Sequence, residues 1–312
     1  DASFAGQQET YLNVRGPQQI LTAIRNCFAS LFTDRAISYR DNFNFDHFDV
    51  GLSACIQKMV RSDLASAGVA FSLDTESGFK DVVLINGSYG LGESVVQGSV
   101  SPDEFLIFKP TLKKGCQSII EKKMGRKEEK IIYSTDPGQL VKMVHVGNSQ
   151  QNEFCISDAQ AIQLAEWVCT IEDYYTKLKG YWCPMDVEWA VDGLSEEIFI
   201  VQARPETIHS RKKNTDLIEY KIESTENVAV RLTGIAVGDK IGQGKVQKMY
   251  SLDGRDGSFD GSNFQEGDIL VTEMTDPDWE PIMKKASAIV TNKGGRTCHA
   301  AIVQEKWVFL PL

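Results

Sequence analysis

Several features that would point to a membrane, secreted or nucleic-acid-binding protein are missing from this sequence. No stretch approaches the roughly 18 apolar residues that a membrane-spanning helix needs. The first residues, DASFAGQQET, have neither the basic start nor the apolar core of a secretory signal. The formal net charge of -10 and the pI near 5.0 disfavour binding to nucleic acid or to an anionic membrane. We therefore expect a protein with no membrane and no nucleic-acid partner.

The cysteines also lack the spacing of a metal or disulfide scaffold. There are seven, an odd number, and no C-x-x-C occurs. This pattern is typical of reduced thiols, so we expect a cytoplasmic protein. A length of 312 residues suits two domains rather than one.

Residue patterns predict an α+β protein. Helices are indicated at 17–33 and 157–179, the second with Ser157 or Asp158 as N-cap and Gly180 as its stop. Short strands are indicated near 68–72, 82–86, 105–109 and 130–133, and two more at 185–191 and 197–204. The Lys- and Arg-rich stretch 113–130 reads as a solvated loop or hairpin tip, with phosphate contact as the alternative. Residues 205–227 are polar, so we place a domain at 1–208, a linker at 209–227 and a β-rich domain at 228–312.

The two strands at 185–191 and 197–204 carry the first candidate site. Asp192-Gly193 between them is a hairpin signal. Alternate side chains share a face, so Asp186 and Glu188 project together, as do Gln202 and Arg204. The carboxylate and amide oxygens of these side chains are ligands that Mg²⁺ prefers, and Mg²⁺ usually binds one or two protein carboxylates together with phosphates. The Arg204 guanidinium can bind a phosphate through two hydrogen bonds. The alternative is a polar surface hairpin with a cross-strand Glu–Arg pair.

His299, in TNKGGRTCHAAIV, is the second candidate site. Thr297 is a suitable N-cap, which would put the imidazole at a helix N-terminus that favours an anion. Gly294 and Gly295 permit close approach, while Arg296 and the Thr297 hydroxyl can donate to phosphoryl oxygens. A neutral imidazole is a nucleophile, so His299 is a candidate phosphocarrier. The alternative is a structural histidine, the role we assign to His47, His145 and His209.

The run VTEMTDPDWEPIMKKASAIVTNKGGRTCHAAIV, residues 271–303, resembles the phosphoenolpyruvate synthases (pyruvate, water dikinases) of the PEP-utilising enzyme family. The likeness extends to DASFAGQQETYLNV, GLGESVVQGSVSPDEF and MDVEWAVDG with IFIVQARPET. It implies an ATP-grasp nucleotide-binding domain followed by a swivelling phosphohistidine β/α domain. It also implies Mg²⁺, ATP as substrate and, in the full-length enzyme, pyruvate; it leaves a homo-oligomer of that enzyme open.

The resemblance assigns roles to individual residues. The implied chemistry converts ATP and water to AMP, phosphate and phosphorylated His299, which then phosphorylates pyruvate. The implied metal ligands are Glu188 and Gln202, and the implied nucleotide-binding residues are Gly6 and Thr10 in a phosphate-covering loop, Gln57, Met59 and Val60 beside the adenine, Glu93 near the ribose, and Arg204 at a phosphate. Gly294, Gly295, Arg296 and Thr297 would support the phosphohistidine.

The chain departs from the family pattern at both ends. The family has a portion before DASFAGQ with a Lys and an Arg that hold nucleotide. After Val303 it continues A-R-E-(L or M)-G-I-P-A-V, whereas QEKWVFLPL stands here. A one-base deletion after the Val303 codon would produce this tail, and DNA sequencing tests that hypothesis. We expect a truncated phosphohistidine domain without the pyruvate-binding barrel, and an inactive chain. The alternatives are a rifampicin-type antibiotic phosphotransferase, disfavoured by Arg296 and Cys298, and a non-catalytic nucleotide-binding remnant.

Overall fold

The structure is a computed structural model that describes residues 8–136, 138–206, 232–234, 236–237, 241–251, 264–275 and 277–293. The predicted linker 209–227 lies outside the described residues. So do eight of the residues singled out above: Gly6, His209, Gly294, Gly295, Arg296, Thr297, Cys298 and His299.

Helices and strands are mixed throughout the described chain, as the sequence predicted. The helices are α1 (Gly16–Ala29), α2 (Asp34–Asn42), α3 (Glu93–Val96), α4 (Lys109–Leu112), α5 (Asn148–Gln151), α6 (Asp158–Lys179) and α7 (Glu280–Met283). The strands are β1 (Ser66–Phe71), β2 (Val82–Tyr89), β3 (Asp103–Phe108), β4 (Ile119–Lys123), β5 (Glu129–Tyr133), β6 (Val141–His145), β7 (Met185–Val191), β8 (Ile198–Pro205), β9 (Val246–Lys248), β10 (Ile269–Thr272) and β11 (Ala288–Thr291).

A six-stranded antiparallel sheet with the order β4-β3-β2-β1-β7-β8 forms the centre of the N-terminal region. Helix α6 covers one face of this sheet. Its side chains Leu164, Ala165 and Val168 pack on the odd-numbered residues of β7, among them Val187 and Trp189. Burying this apolar layer is the main force that holds α6 on the sheet.

The ends of α6 follow from its sequence. The Ser157 hydroxyl accepts from the Gln160 backbone N–H, and the Gln160 side chain accepts from the Ser157 N–H, which makes a capping box. Gly180 closes the helix with a left-handed φ of 75°, a conformation that glycine adopts without steric cost. The helix predicted at 157–179 is therefore confirmed.

The opposite face of the sheet carries a smaller cluster and a separate hairpin. Val95 of α3 and Val100 pack there on Val69 and Leu84 of the sheet. Strands β5 and β6 pair with each other beside α3, where the Leu91 N–H donates to the Ile131 carbonyl at 2.9 Å. The carboxylates of the first candidate site, Asp186 and Glu188, lie on this second face, because they alternate with the buried Val187 and Trp189.

The cation-rich stretch 113–130 is largely exposed, as the sequence predicted, but it also contains a strand and a buried lysine. Residues 119–123 form β4 and pair with β3, and β5 begins at Glu129. Lys127 is fully buried and forms an ion pair at 2.5 Å with Asp103, whose carboxylate is also fully buried. The prediction of a solvated stretch fails at Lys127, because charge density does not show that a buried carboxylate from a distant strand compensates this ammonium group.

A second, smaller sheet belongs to the C-terminal region. Its strands run parallel in the order β11-β10-β9, and α7 lies on the connection from β10 to β11. Met249, Leu270, Trp279 and Met283 are among the residues of its own apolar core. In the described part of the chain, no helix is long and apolar enough to cross a membrane.

Candidate functional site

The hairpin β7–β8 forms as predicted and brings the four polar residues into register. Asp186 lies opposite Arg204, and Glu188 lies opposite Gln202. The turn is fixed by Asp192, whose carboxylate accepts from the Leu194 and Ser195 backbone N–H groups. These bonds, with one from the Arg61 N–H, hold the pKa of Asp192 below its ordinary value. The Asp-Gly signal therefore worked through side-chain capping of the turn.

A β-bulge in β8 sets the direction of Gln202 and Arg204. Trp189 pairs with Ile200 and Glu188 pairs with Gln202, which leaves Val201 as an extra residue. Ile198 and Ile200 point toward the core under α6. Without the extra residue, strict alternation would send Gln202 and Arg204 to that same core face. The bulge therefore places the amide and the guanidinium beside the two carboxylates.

Contacts among these four side chains divide them into two pairs. Arg204 Nε lies 2.6 Å from Asp186 Oδ2, and a second guanidinium nitrogen lies 2.5 Å from the same oxygen. Gln202 Nε2 lies 3.4 Å from Glu188 Oε1. The cross-strand ion pair thus involves Asp186 with Arg204 and leaves Glu188 with only an amide neighbour across the hairpin.

The electrostatics of Glu188 favour a cation. Burial raises the pKa of its carboxyl, and the neighbouring Asp186 raises it further, while Arg204 opposes the shift. A bound cation would relieve this strain on the ionised form. Among the described residues no group of three or more His, Cys, Asp or Glu could hold a metal. The hairpin nevertheless fits Mg²⁺, which takes one or two carboxylates and completes its shell with phosphate oxygens and water.

The segment 51–60, which carries Gln57, Met59 and Val60, lies at the same hairpin. Gln57 Nε2 donates to the carbonyl of the bulge residue Val201 at 3.4 Å. At the other end of the segment, the Arg61 N–H donates to the Asp192 carboxylate at 3.1 Å. Met59 and Val60 are half-buried between these two anchors. The structure therefore brings the residues expected beside adenine to the edge strand that carries Gln202.

Glu93 lies within electrostatic range of Glu9, the residue before Thr10. Thr10 is exposed and follows Glu9, whose side chain forms an ion pair with Arg35. Glu93 opens α3 and accepts from the Gln97 side chain at 2.8 Å. Burial raises the pKa of Glu93, the bond from Gln97 lowers it, and the charge of Glu9 raises it.

The described part of the second candidate site ends at Lys293, six residues before His299. The backbone N–H groups of Asn292 and Lys293 both donate to the Glu273 carbonyl, at 3.2 and 3.0 Å. The Asn292 amide also donates to the Glu273 carboxylate at 3.0 Å. Strand β11 and its exit are therefore fixed up to the segment predicted to carry the phosphohistidine.

Sequence reasoning missed two contacts that depend on distant residues. Asp186 was expected to share a face with Arg204, but its specific ion pair was not predicted. Lys293 Nζ lies 3.4 Å from Glu129 Oε2, a pair that joins the two regions of the chain. No local signal identifies either partner, because strand periodicity shows which residues share a face and not which charges meet.

Both regions of the chain match known protein families. Residues 1–225 match the family described as pyruvate phosphate dikinase, AMP/ATP-binding domain, and residues 264–307 match the PEP-utilising enzyme, mobile domain. Phosphoenolpyruvate synthases are similar over 97% of this chain: 59% identical in Aquifex aeolicus, 53% in Synechocystis and 52% in Deinococcus radiodurans. The chain covers 35%, 36% and 37% of those proteins, about a third of their length. The chain belongs to the pyruvate phosphate dikinase AMP/ATP-binding domain family.

Proposed function

We propose that this chain is the nucleotide-binding and phosphohistidine part of a phosphoenolpyruvate synthase. The reaction would convert ATP, pyruvate and water to AMP, phosphoenolpyruvate and phosphate. The observation that carries this proposal is the β7–β8 hairpin, in which Glu188 and Gln202 face each other beside the Asp186–Arg204 pair. This hairpin lies within the matched nucleotide-binding family. The antibiotic phosphotransferase alternative is not favoured, since the relatives named above are synthases.

The residues of the hairpin divide the work of holding a triphosphate. Glu188 and Gln202 would hold Mg²⁺, which when bound neutralises phosphate charge and orients the reacting group. Arg204 would bind a phosphate oxygen while Asp186 keeps the guanidinium in place at 2.6 Å. Gln57, Met59 and Val60 would border the adenine, Glu93 the ribose, and Gly6 with Thr10 would cover the phosphates. We infer from this arrangement an ATP-grasp domain within 1–208.

His299 would carry the phosphoryl group between two sites. A ring nitrogen of His299 forms a bond to the β-phosphorus of ATP as the bond from that phosphorus to AMP breaks. Water then takes the γ-phosphoryl group, which is released as inorganic phosphate. The phosphohistidine then transfers its group to the enol oxygen of pyruvate, whose methyl group has lost a proton. Gly294, Gly295, Arg296 and Thr297 would surround the phosphoryl group. Because one histidine serves two distant sites, the domain within 228–312 must move between them, which its separate core allows.

A labelling experiment tests the phosphohistidine. The chain, and a form extended to the length of the relatives, are incubated with Mg²⁺ and ATP labelled in the β-phosphate. We expect acid-labile label in the extended form, lost in His299→Ala and retained in the control His145→Ala, because His145 is exposed on β6. Label in the extended form alone would mean that the chain needs residues beyond its own span. An extended form that takes up no label would refute the proposal.

A further inference from the structure

An ion pair connects the smaller parallel sheet to the nucleotide-binding region. Lys293 Nζ lies 3.4 Å from Glu129 Oε2, although the two residues are 164 positions apart. Lys293 is the second residue after the end of β11, and Glu129 is the first residue of β5. The contact therefore joins the exit of the second region to a hairpin of the first.

Each partner is held by its own region. The backbone N–H of Lys293 donates to the Glu273 carbonyl at 3.0 Å, which fixes where its side chain begins. On the other side, the buried Lys127 lies two residues before Glu129 and binds Asp103 at 2.5 Å. The Lys127 N–H also donates to the Ser101 carbonyl at 3.3 Å. Two prearranged groups meet here, so the contact costs little additional ordering of the backbone.

A polar cleft surrounds the pair. It is lined by side chains of both regions, among them Ser99, Ser101, Arg126, Glu128 and Asn292. Contacts between such groups exchange readily with water, whereas an apolar seam would resist separation. The chemistry of the cleft therefore suits a contact that forms and breaks.

The pair lies on the side of the sheet that carries the hairpin site. Strand β5, which begins at Glu129, contacts α3, and α3 packs on the face where Glu188 lies opposite Val69. Near Glu129, the partner of Lys127 is Asp103, and a row of paired residues crosses four strands from there: Asp103, Gly87, Gly68 and Trp189. Three strand spacings make this row about 14 Å long, and Glu188 is next to its end. Lys293 and His299 are six residues apart, a separation that an extended chain spans with at most about 20 Å.

We propose that the Lys293–Glu129 pair is the docking contact that positions the phosphohistidine segment for transfer from the nucleotide. The assignment rests on the proposed function of His299, but the contact itself does not. Side chains of Lys293 and Glu129 are 39% and 38% exposed. Exposed pairs of this kind change an equilibrium by about fivefold or less, which lets the domain leave after transfer. Both are positioning residues, since they act through the segment that follows Lys293.

Zero-length cross-linking tests the contact without requiring activity. A carbodiimide joins an amine to a carboxylate that touches it through an amide bond, and the carbodiimide takes up the elements of water to become a urea. We expect a peptide pair joined through 129 and 293, lost in Lys293→Gln and in Glu129→Gln. The doubly exchanged variant Lys293→Glu with Glu129→Lys restores it, and its yield falls with added salt. The Lys122–Asp158 pair, at 2.8 Å and 36 positions apart, is the internal control for folding. A 122–158 cross-link without a 129–293 cross-link would overturn the docking contact.

Label transfer to His299 in the extended form tests the role of the contact. Each charge reversal, Lys293→Glu or Glu129→Lys, should slow labelling about five- to tenfold, because repulsion replaces attraction. The double exchange should recover the rate to within about threefold. The matched control reverses Lys142–Asp136, a pair at 3.3 Å on the same β5–β6 hairpin, and should leave the rate unchanged. Equal labelling in all variants would overturn the docking role alone, whereas no labelling in any form would overturn the phosphohistidine as well.

Discussion

Removing the Asp103 carboxylate should destabilise the nucleotide-binding region more than any surface change. The carboxylate is fully buried and accepts three hydrogen bonds, from Lys127 Nζ at 2.5 Å, the Cys155 N–H at 2.7 Å and the Gly125 N–H at 2.8 Å. These bonds tie the start of β3 to the loop before β5 and to the segment before α6. The approach to the β5–β6 hairpin and the approach to α6 are therefore both braced by this one group.

The magnitude follows from what is left unpaired. Asp103→Ala leaves the Lys127 ammonium buried, with the Gly125 carbonyl at 3.0 Å as its remaining acceptor. Breaking a buried pair in this way costs about 3–5 kcal/mol. For a region of roughly 200 residues this lowers Tm by about 10 °C. Lys127→Met should cost less, about 2 kcal/mol, because the Asp103 carboxylate keeps its two backbone donors.

Urea unfolding monitored by tryptophan fluorescence measures these differences, since Trp189 is buried in the same core. The control is Asp136→Ala, which removes an exposed partner of Lys142 and should cost less than about 0.5 kcal/mol. If Asp103→Ala cost under about 1 kcal/mol, or no more than Lys127→Met, the buried pair would not brace the fold and the reasoning would be wrong.

Two further predictions concern titrating groups. Burial raises the pKa of Glu188 above the ordinary glutamate pKa of about 4.3, so protons should compete with Mn²⁺ for this carboxylate at a higher pH than usual. Paramagnetic resonance should show Mn²⁺ binding that weakens as the pH falls, and Glu188→Gln should remove that pH dependence. Burial and Asp103 raise the pKa of the Cys155 thiol, so at pH 8 it should react with iodoacetamide far more slowly than the exposed Cys55 and Cys116; equal rates by mass spectrometry would contradict this.

Local pattern was sufficient for the elements whose determinants are close in sequence. The bounds of helix α6 follow from Ser157 and Gln160, which cap its N-terminus, and from Gly180, which ends it. The β7–β8 hairpin follows from period-two alternation and from Asp192 at the turn. The four polar residues of the candidate site could be assigned to one face for the same reason. The roles given to Gly294–Thr297 and His299 remain predictions.

Partners far apart in sequence could not be predicted in this way. Most of the charged stretch 113–130 is exposed, as predicted, yet Lys127 is buried because Asp103, 24 residues away, compensates its charge. Gln57 meets the Val201 carbonyl across 144 residues. A pattern of charges carries no information on which opposite charge the folded chain brings near.

The sequence by itself determined that Asp186, Glu188, Gln202 and Arg204 sit on two paired strands, because turn chemistry and strand alternation are local. Only the tertiary structure decided how they are used. The extra residue Val201 turns Gln202 and Arg204 away from the core, and the register then pairs Arg204 with Asp186 and places Glu188 opposite the Gln202 amide. The physical reason is that a bulge and an ion pair both depend on the opposing strand and the packing beneath it, which no single segment encodes.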